Sequence, residues 1–293
     1  MAIRQPIVAD QFYREDFAEL NEQIESCFKS KLGPSVLPGK RTAKRILGMI
    51  SPHAGYQFSG PCAAWAYKEV AEAEIPETFI LLGPNHSYPG DEELIFNLDQ
   101  DWQTPLGKIQ LDKELGKKLL EKLPFATNNP IYHSNEHSIE VQLPFLQYAT
   151  RDKLNDLKIL PIMVNFLDLE HAKAFAKALT ELTTNITIIA SSDFTHYGPI
   201  YGYTPFTTKT KDKLHNQDTK AINYIRRLDS KSFLKFIKKT DTTICGASPV
   251  IYLLETLKLL DSKTNRLLIY YTSGDITKDY TNAVGYASII FEK

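Results

Sequence analysis

Short apolar runs rich in β-branched residues recur along the chain at Ile46–Ile50, Thr78–Leu82, Leu157–Val164, Ile186–Ala190, Leu267–Thr272 and Ala283–Phe291. Each is of strand length. Between them lie stretches whose apolar positions repeat every three or four residues, the spacing that gathers side chains on one face of a helix. Phe17, Leu20, Ile24 and Phe28 mark such a face within Glu15–Leu32, and Asp168–Leu182, Asp212–Leu228 and Ala247–Leu260 share the period. Strands alternating with amphipathic helices predict a mostly parallel sheet covered on both faces. Leu32–Lys40, Asn128–Ser138 and Gly198–Thr208 read as loops. No stretch has the make-up of an interdomain linker and no repeat is visible, so residues 1–293 are expected to form one domain.

The polar residues that follow the strands carry the chemistry. Ile46–Ile50 runs into Ser51-Pro52-His53-Ala54-Gly55-Tyr56, Phe79–Leu82 into Gly83-Pro84-Asn85-His86, and Ile186–Ala190 into Ser191-Ser192-Asp193-Phe194-Thr195-His196. In open α/β sheets ligand crevices form beyond the carboxyl ends of the strands, so three histidines placed there are candidates to converge. Thr242-Thr243-Ile244-Cys245-Gly246 sets a thiol just before the helix expected from Ala247, where the positive helix end favours thiolate and hence metal binding or nucleophilicity. Asp193 and His196, three apart, would share a face if one helical turn formed there. Such a pair suits acid/base work or support of a metal ligand; the alternative is a helix-capping aspartate with a packed histidine. His171 and His215 are expected to be solvated, and Cys27 and Cys62 to be small core residues.

Composition narrows the ligand classes. Lys plus Arg number 34 against 35 for Asp plus Glu, so no strong field favours nucleic acid, an anionic membrane or an acidic partner, and recognition must be local. Three widely spaced cysteines fit neither a disulfide framework nor a Cys-x-x-Cys site and point to a reducing compartment. The opening residues show no signal-peptide core, and no run approaches the ~20 apolar residues of a membrane span, so a soluble cytoplasmic protein is expected.

Several motifs fall away. Gly55–Gly60 has the glycine spacing of a phosphate-binding loop, but Pro61-Cys62 follow where Lys and Ser or Thr are needed. No dinucleotide-binding glycine pattern and no nucleophile elbow is present. His133-Ser134-Asn135-Glu136-His137 matches the H-x-x-E-H pattern of zinc peptidases, yet Asn128-Asn129-Pro130 places His133 outside the helix that chemistry requires.

Taken together, Pro52-His53-Ala54-Gly55-Tyr56 with Ser59-Gly60, Leu82-Gly83-Pro84-Asn85-His86, Glu136-His137-Ser138-Ile139-Glu140-Val141-Gln142-Leu143-Pro144, Ser191–Gly198 and Cys245-Gly246 make a chain that resembles the Memo family over nearly its whole length. That family is similar in fold to the catalytic subunit of class III extradiol dioxygenases, which implies a three-layer α/β/α fold around a mostly parallel or mixed sheet. The resemblance implies His53, His86 and Cys245 as metal ligands, with Cys245 standing where the dioxygenases have a carboxylate. It implies His196, assisted by Asp193, as the acid/base pair, and His137 and Tyr56 against substrate. Fe(II) is the implied ion, with copper and then zinc as alternatives, and the implied activity is that of an oxygen-using oxidoreductase. The alternatives are an adaptor that binds a small molecule or peptide in a relic pocket, a cysteine hydrolase using Cys245 with His196 and Asp193, and a zinc hydrolase. A functional association with a radical-SAM protein is a further implication, with no nucleic acid or membrane partner.

Overall fold

A computed structural model of the chain describes residues 2–87 and 90–293. The strands are β1 (Ala2–Arg4), β2 (Ile46–Ser51), β3 (Thr78–Gly83), β4 (Leu94–Phe96), β5 (Gln100–Thr104), β6 (Gly107–Leu111), β7 (Ala126–Asn128), β8 (Lys158–Val164), β9 (Ile186–Ser191), β10 (His196–Tyr197), β11 (Thr264–Thr272) and β12 (Ala283–Glu292). The helices are α1 (Phe17–Lys29), α2 (Tyr56–Ala71), α3 (Lys113–Lys122), α4 (Gln142–Ala149), α5 (Leu169–Leu182), α6 (Thr210–Arg226), α7 (Ser230–Thr240), α8 (Ala247–Leu259) and α9 (Ser273–Thr277). All six expected long strands form, and the four expected helices form with their ends shifted by up to three residues. Asp16 and Asp168 accept from the first free amides of α1 and α5, which explains why those helices begin where they do.

The strands join in one mixed sheet, ordered β1-β5-β6-β8-β3-β9-β2-β12-β10, with β11 on β12 and β4 on β8. Its centre, β8-β3-β9-β2, is parallel, and β12 closes on β2 antiparallel. Every residue of β2, β3 and β9 is buried, as expected for strands covered on both faces. Alternation within them feeds two cores. Leu47, Ile50, Ile80, Leu82, Ile188 and Ala190 pack with α3, α5, α7 and α8, whereas Met49, Phe79, Leu81 and Ile189 pack with α1, α2 and α4. Helices on both faces of one central sheet make a three-layer α/β/α fold. Among the described residues no helix is long and apolar enough to cross a membrane.

This topology positions the site. Because β9 lies between β3 and β2, the loops carrying His86, Asp193 and His53 leave three neighbouring strands at the same edge. At ~4.8 Å per strand, the ends of β2 and β3 stand about 10 Å apart, within reach of facing side chains. Helix α2, which follows β2, and α5, which follows β8, lie on opposite faces, so the chain leaves this edge in both directions, the topology that places ligand sites there.

Candidate metal centre

Three imidazoles meet at that edge. The ring centroids of His53 and His86 are 5.3 Å apart, those of His53 and His137 5.5 Å, and those of His86 and His137 4.8 Å. One ring nitrogen from each lies within 4.8 Å of the others, close enough for a single ion to be shared. His53 is buried, His137 partly so, and His86 faces the opening with a third of its side chain exposed.

Hydrogen bonding fixes the tautomers. Ser191 Oγ donates its only proton to Ser138 O at 2.6 Å and accepts from Gln142 Nε2 at 2.8 Å. Its contact with His53 Nδ1 at 2.9 Å must therefore be donated by the ring, which leaves a lone pair on Nε2. His86 Nδ1 faces Glu136 Oε1 at 3.1 Å, and His137 Nδ1 lies 3.4 Å from the same oxygen. A carboxylate only accepts, so the His86 Nε2 is likewise left as a lone pair. A buried carboxylate or hydroxyl behind each imidazole is the arrangement that orients histidines toward a metal.

Glu136 organises this side of the site. It accepts from the His86 amide at 2.5 Å and the Ser138 amide at 2.7 Å besides the His86 ring, with the His137 ring nearby. Burial pushes its carboxyl up, but the bonds and charges of His86 and His137 outweigh that and hold it at about 2. Burial also acts on His86, yet Glu136 raises that imidazole, while burial lowers His53 and His137 and keeps them neutral. Gly83 lets the segment approach: a Cβ there would stand 2.6 Å from Ser138 Oγ. Behind it, Arg4 donates to Glu140 Oε2 at 2.6 Å, to the Glu136 carbonyl at 2.7 Å and to the His133 carbonyl at 2.8 Å, stapling the N-terminal strand under the loop.

The thiol and the aspartate stand on the other side. Cys245 Sγ lies 3.2 Å from His53 Nε2 and 3.7 Å from the Asp193 carbonyl. Gly246 permits this, since a Cβ would fall 2.2 Å from Ser192 Cβ. Burial, and then the charge of Asp193, push the Cys245 thiol well up, against the pull expected from the helix end. Asp193 accepts from the His53 amide at 2.8 Å, and burial raises its carboxyl. The charges of Asp193 and His196 interact, as do those of His53 and His196. His196 donates from Nδ1 to Thr243 O at 3.0 Å, which leaves its Nε2 as a base, and its ring packs edge-on against Tyr201 at 5.1 Å.

Comparison with known proteins decides the family. The family model for Memo-like proteins matches residues 4–290. MEMO1 family proteins of Methanopyrus kandleri and Methanocaldococcus jannaschii are 39% and 38% identical to this chain, each comparison covering 99% of both proteins. A MEMO1 family protein of Pyrococcus abyssi is 36% identical over 99% of this chain and 100% of its own length. The chain belongs to the Memo family.

In this Memo protein the residues singled out from sequence do not all fall together. His53, His86 and His137 form the cluster, Cys245 meets it at His53, and Asp193 lies beneath the His53 backbone. Tyr56, expected against substrate, instead lies in the core: its hydroxyl donates to Val141 O at 2.8 Å and its ring packs on Phe145. No helical turn forms at Asp193–His196; the segment is extended and His196 enters β10. His133 of the peptidase-like motif ends a 3₁₀ turn, fully buried, with Nε2 on Ile95 O and its ring against Trp102. His171 and His215 are only partly exposed and pair with Glu93 and Asp275, not with solvent alone. Cys27 and Cys62 are buried. Sequence reading assigned no role of this kind to Glu136, Ser191 or Thr243. The only local signal was that Glu136 precedes a motif histidine, and nothing in the order of residues links it to His86, fifty positions away.

Proposed function

We propose that this protein is a metal-dependent oxidoreductase of dioxygenase type. His53, His86 and His137 supply nitrogen donors, Cys245 adds a sulfur donor beside His53, and His196 with Asp193 handles protons. The observation that carries this reading is the convergence of three imidazoles, with His53 and His86 backed at Nδ1 by Ser191 and Glu136. Imidazole suits iron, copper and zinc alike, whereas thiolate tilts a site toward Cu(I) and zinc. With three nitrogen donors to one sulfur, the set leans toward Fe(II). When bound, such an ion supplies redox chemistry with dioxygen.

The rest is done by this chain. Phe12 flanks His137 at 5.0 Å and Tyr201 flanks His196, an aromatic surround that suits a planar substrate. His196, its Nδ1 proton committed to Thr243, can take a proton at Nε2 from a substrate hydroxyl within reach. Asp193 is fixed by the His53 amide, and its carboxyl interacts with the charge of His196. The test is oxygen uptake by protein loaded anaerobically with Fe(II) and given catechols and related aromatics. Uptake by wild type that disappears in His196→Gln, with metal retained, is expected; an Fe-loaded wild type that consumes no oxygen with any of them contradicts the reading.

One observation favours a second reading. Ile200 and Tyr201, adjacent and 72% and 39% exposed, set two apolar side chains together beside His196, as a contact for a bound peptide or other apolar partner would be. An adaptor using the same mouth would take up no metal and would lose its partner in Ile200→Asp.

A further inference from the structure

Behind His196 lies a buried carboxylate that the proposed chemistry does not touch. Asp218, on α6, has no exposed surface, and among the described residues no basic side chain forms an ion pair with it. Its Oδ1 accepts from Thr195 Oγ1 at 2.5 Å and Thr195 N at 3.2 Å, and its Oδ2 accepts from Tyr270 OH at 2.7 Å. The fold makes room for it: a Cβ at Gly285 would lie 2.2 Å from Oδ2. Burial raises its carboxyl to about 6. An isolated buried carboxylate is costly to a fold, and what this one accomplishes is to set the direction of a hydrogen-bond network.

The direction follows from counting protons. At neutral pH the carboxylate only accepts, so the Thr195 hydroxyl proton goes to Asp218. Thr242 Oγ1, 2.8 Å from Thr195 Oγ1, must then donate to it, and Gln217 Nε2 donates to both, at 2.9 and 3.1 Å. These contacts bind Thr242 to Thr195. The next residue of each segment is similarly joined: His196 N donates to Thr243 Oγ1 at 2.9 Å, Thr243 Oγ1 donates to His196 O at 2.7 Å, and His196 Nδ1 donates to Thr243 O. The carbonyl that selects the His196 tautomer thus sits one residue from an anchor that Asp218 orders.

We infer that Asp218 is a positioning residue for His196: through Thr195 and Thr242 it holds the Thr243 carbonyl against Nδ1 and keeps the Nε2 lone pair facing the pocket. The value of that lone pair to catalysis rests on the function proposed above, but the tautomer itself does not. Failure of oxygen uptake would leave this inference standing, and its own failure would leave the proposed function standing.

The test reads the His196 tautomer by ¹⁵N NMR of the imidazole nitrogens in the full-length metal-free protein. Wild type should show a single Nδ1–H form. Asp218→Ala should convert it to a mixture, and Asp218→Asn, which keeps one oxygen for Thr195, should restore it. Thr242→Val, which cuts the link without touching the carboxylate and carries the test if Asp218→Ala does not fold, should also give a mixture. Tyr270→Phe removes a donor from the other oxygen and should leave the tautomer unchanged. Metal affinity should stay at the wild-type value throughout. An unchanged tautomer in folded Asp218→Ala or Thr242→Val overturns the inference, as does an equal change in Tyr270→Phe, which would mean general loosening.

Discussion

The two ends of the central parallel strands differ in kind. At the amino-terminal end lies an open cavity of about 730 Å³, lined by Arg41, Glu77, Asp112, Lys158 and neighbours. Its polar groups meet in ordinary structural pairs: Arg41 binds Asp152 and three backbone carbonyls, and Thr78 binds Asp112. At the carboxyl end the polar groups converge, and His53 and His86 are each backed by a group that fixes the ring's tautomer. The contrast teaches that volume does not locate chemistry. Convergent donors with unused lone pairs do, and in this fold they stand where strand order brings loops together.

Breaking that contrast should cost most where the carboxyl-end loop is held from behind. Arg4 and Glu140 are almost fully buried, so Arg4→Ala strands a carboxylate and should destabilise the fold by about 3–5 kcal/mol in urea unfolding. Next, Glu136→Gln removes the negative charge that His86 and His137 both face and one of its two acceptor oxygens, and should weaken metal binding about 10–100-fold in anaerobic calorimetry. A smaller effect concerns Asp218. Its folded carboxyl, at about 6, lies above the ordinary value of 3.8, so the folded state binds more protons between those limits and stability falls as pH rises through them. Relative to Asp218→Asn, wild type should gain about 1 kcal/mol on moving from pH 7 to pH 5, measured by unfolding at both. The smallest change is at the opposite end: Lys158→Ala should leave metal affinity unaltered and stability within about 0.5 kcal/mol.

The same contrast explains what could be read from sequence. Strands β2, β3, β8, β9, β11 and β12 were legible because short runs rich in apolar and β-branched residues have few alternatives once flanked by loops. Strands β1, β4, β7 and β10 span only two or three residues each, too few for any period, and they form because neighbours offer them an edge. Histidines at strand ends were visible as a pattern. Tyr56 shared their motif yet turned into the core, because α2 begins at that residue and directs its side chain toward Phe145. Glu136 was visible as part of a peptidase-like spacing and of a family motif, with no partner indicated; that partner lies on another loop, and only the fold makes them adjacent. For Cys245 the helix end was legible, and the desolvation that pushes its thiol up was not.

The most direct test of the central claim is anaerobic calorimetry with Fe(II) on wild type, His137→Ala and Cys245→Ala. The account predicts one ion per chain in wild type, a large loss of affinity in His137→Ala, and a smaller loss in Cys245→Ala. A folded wild type that binds no Fe(II), or a His137→Ala variant that binds as wild type does, would contradict it.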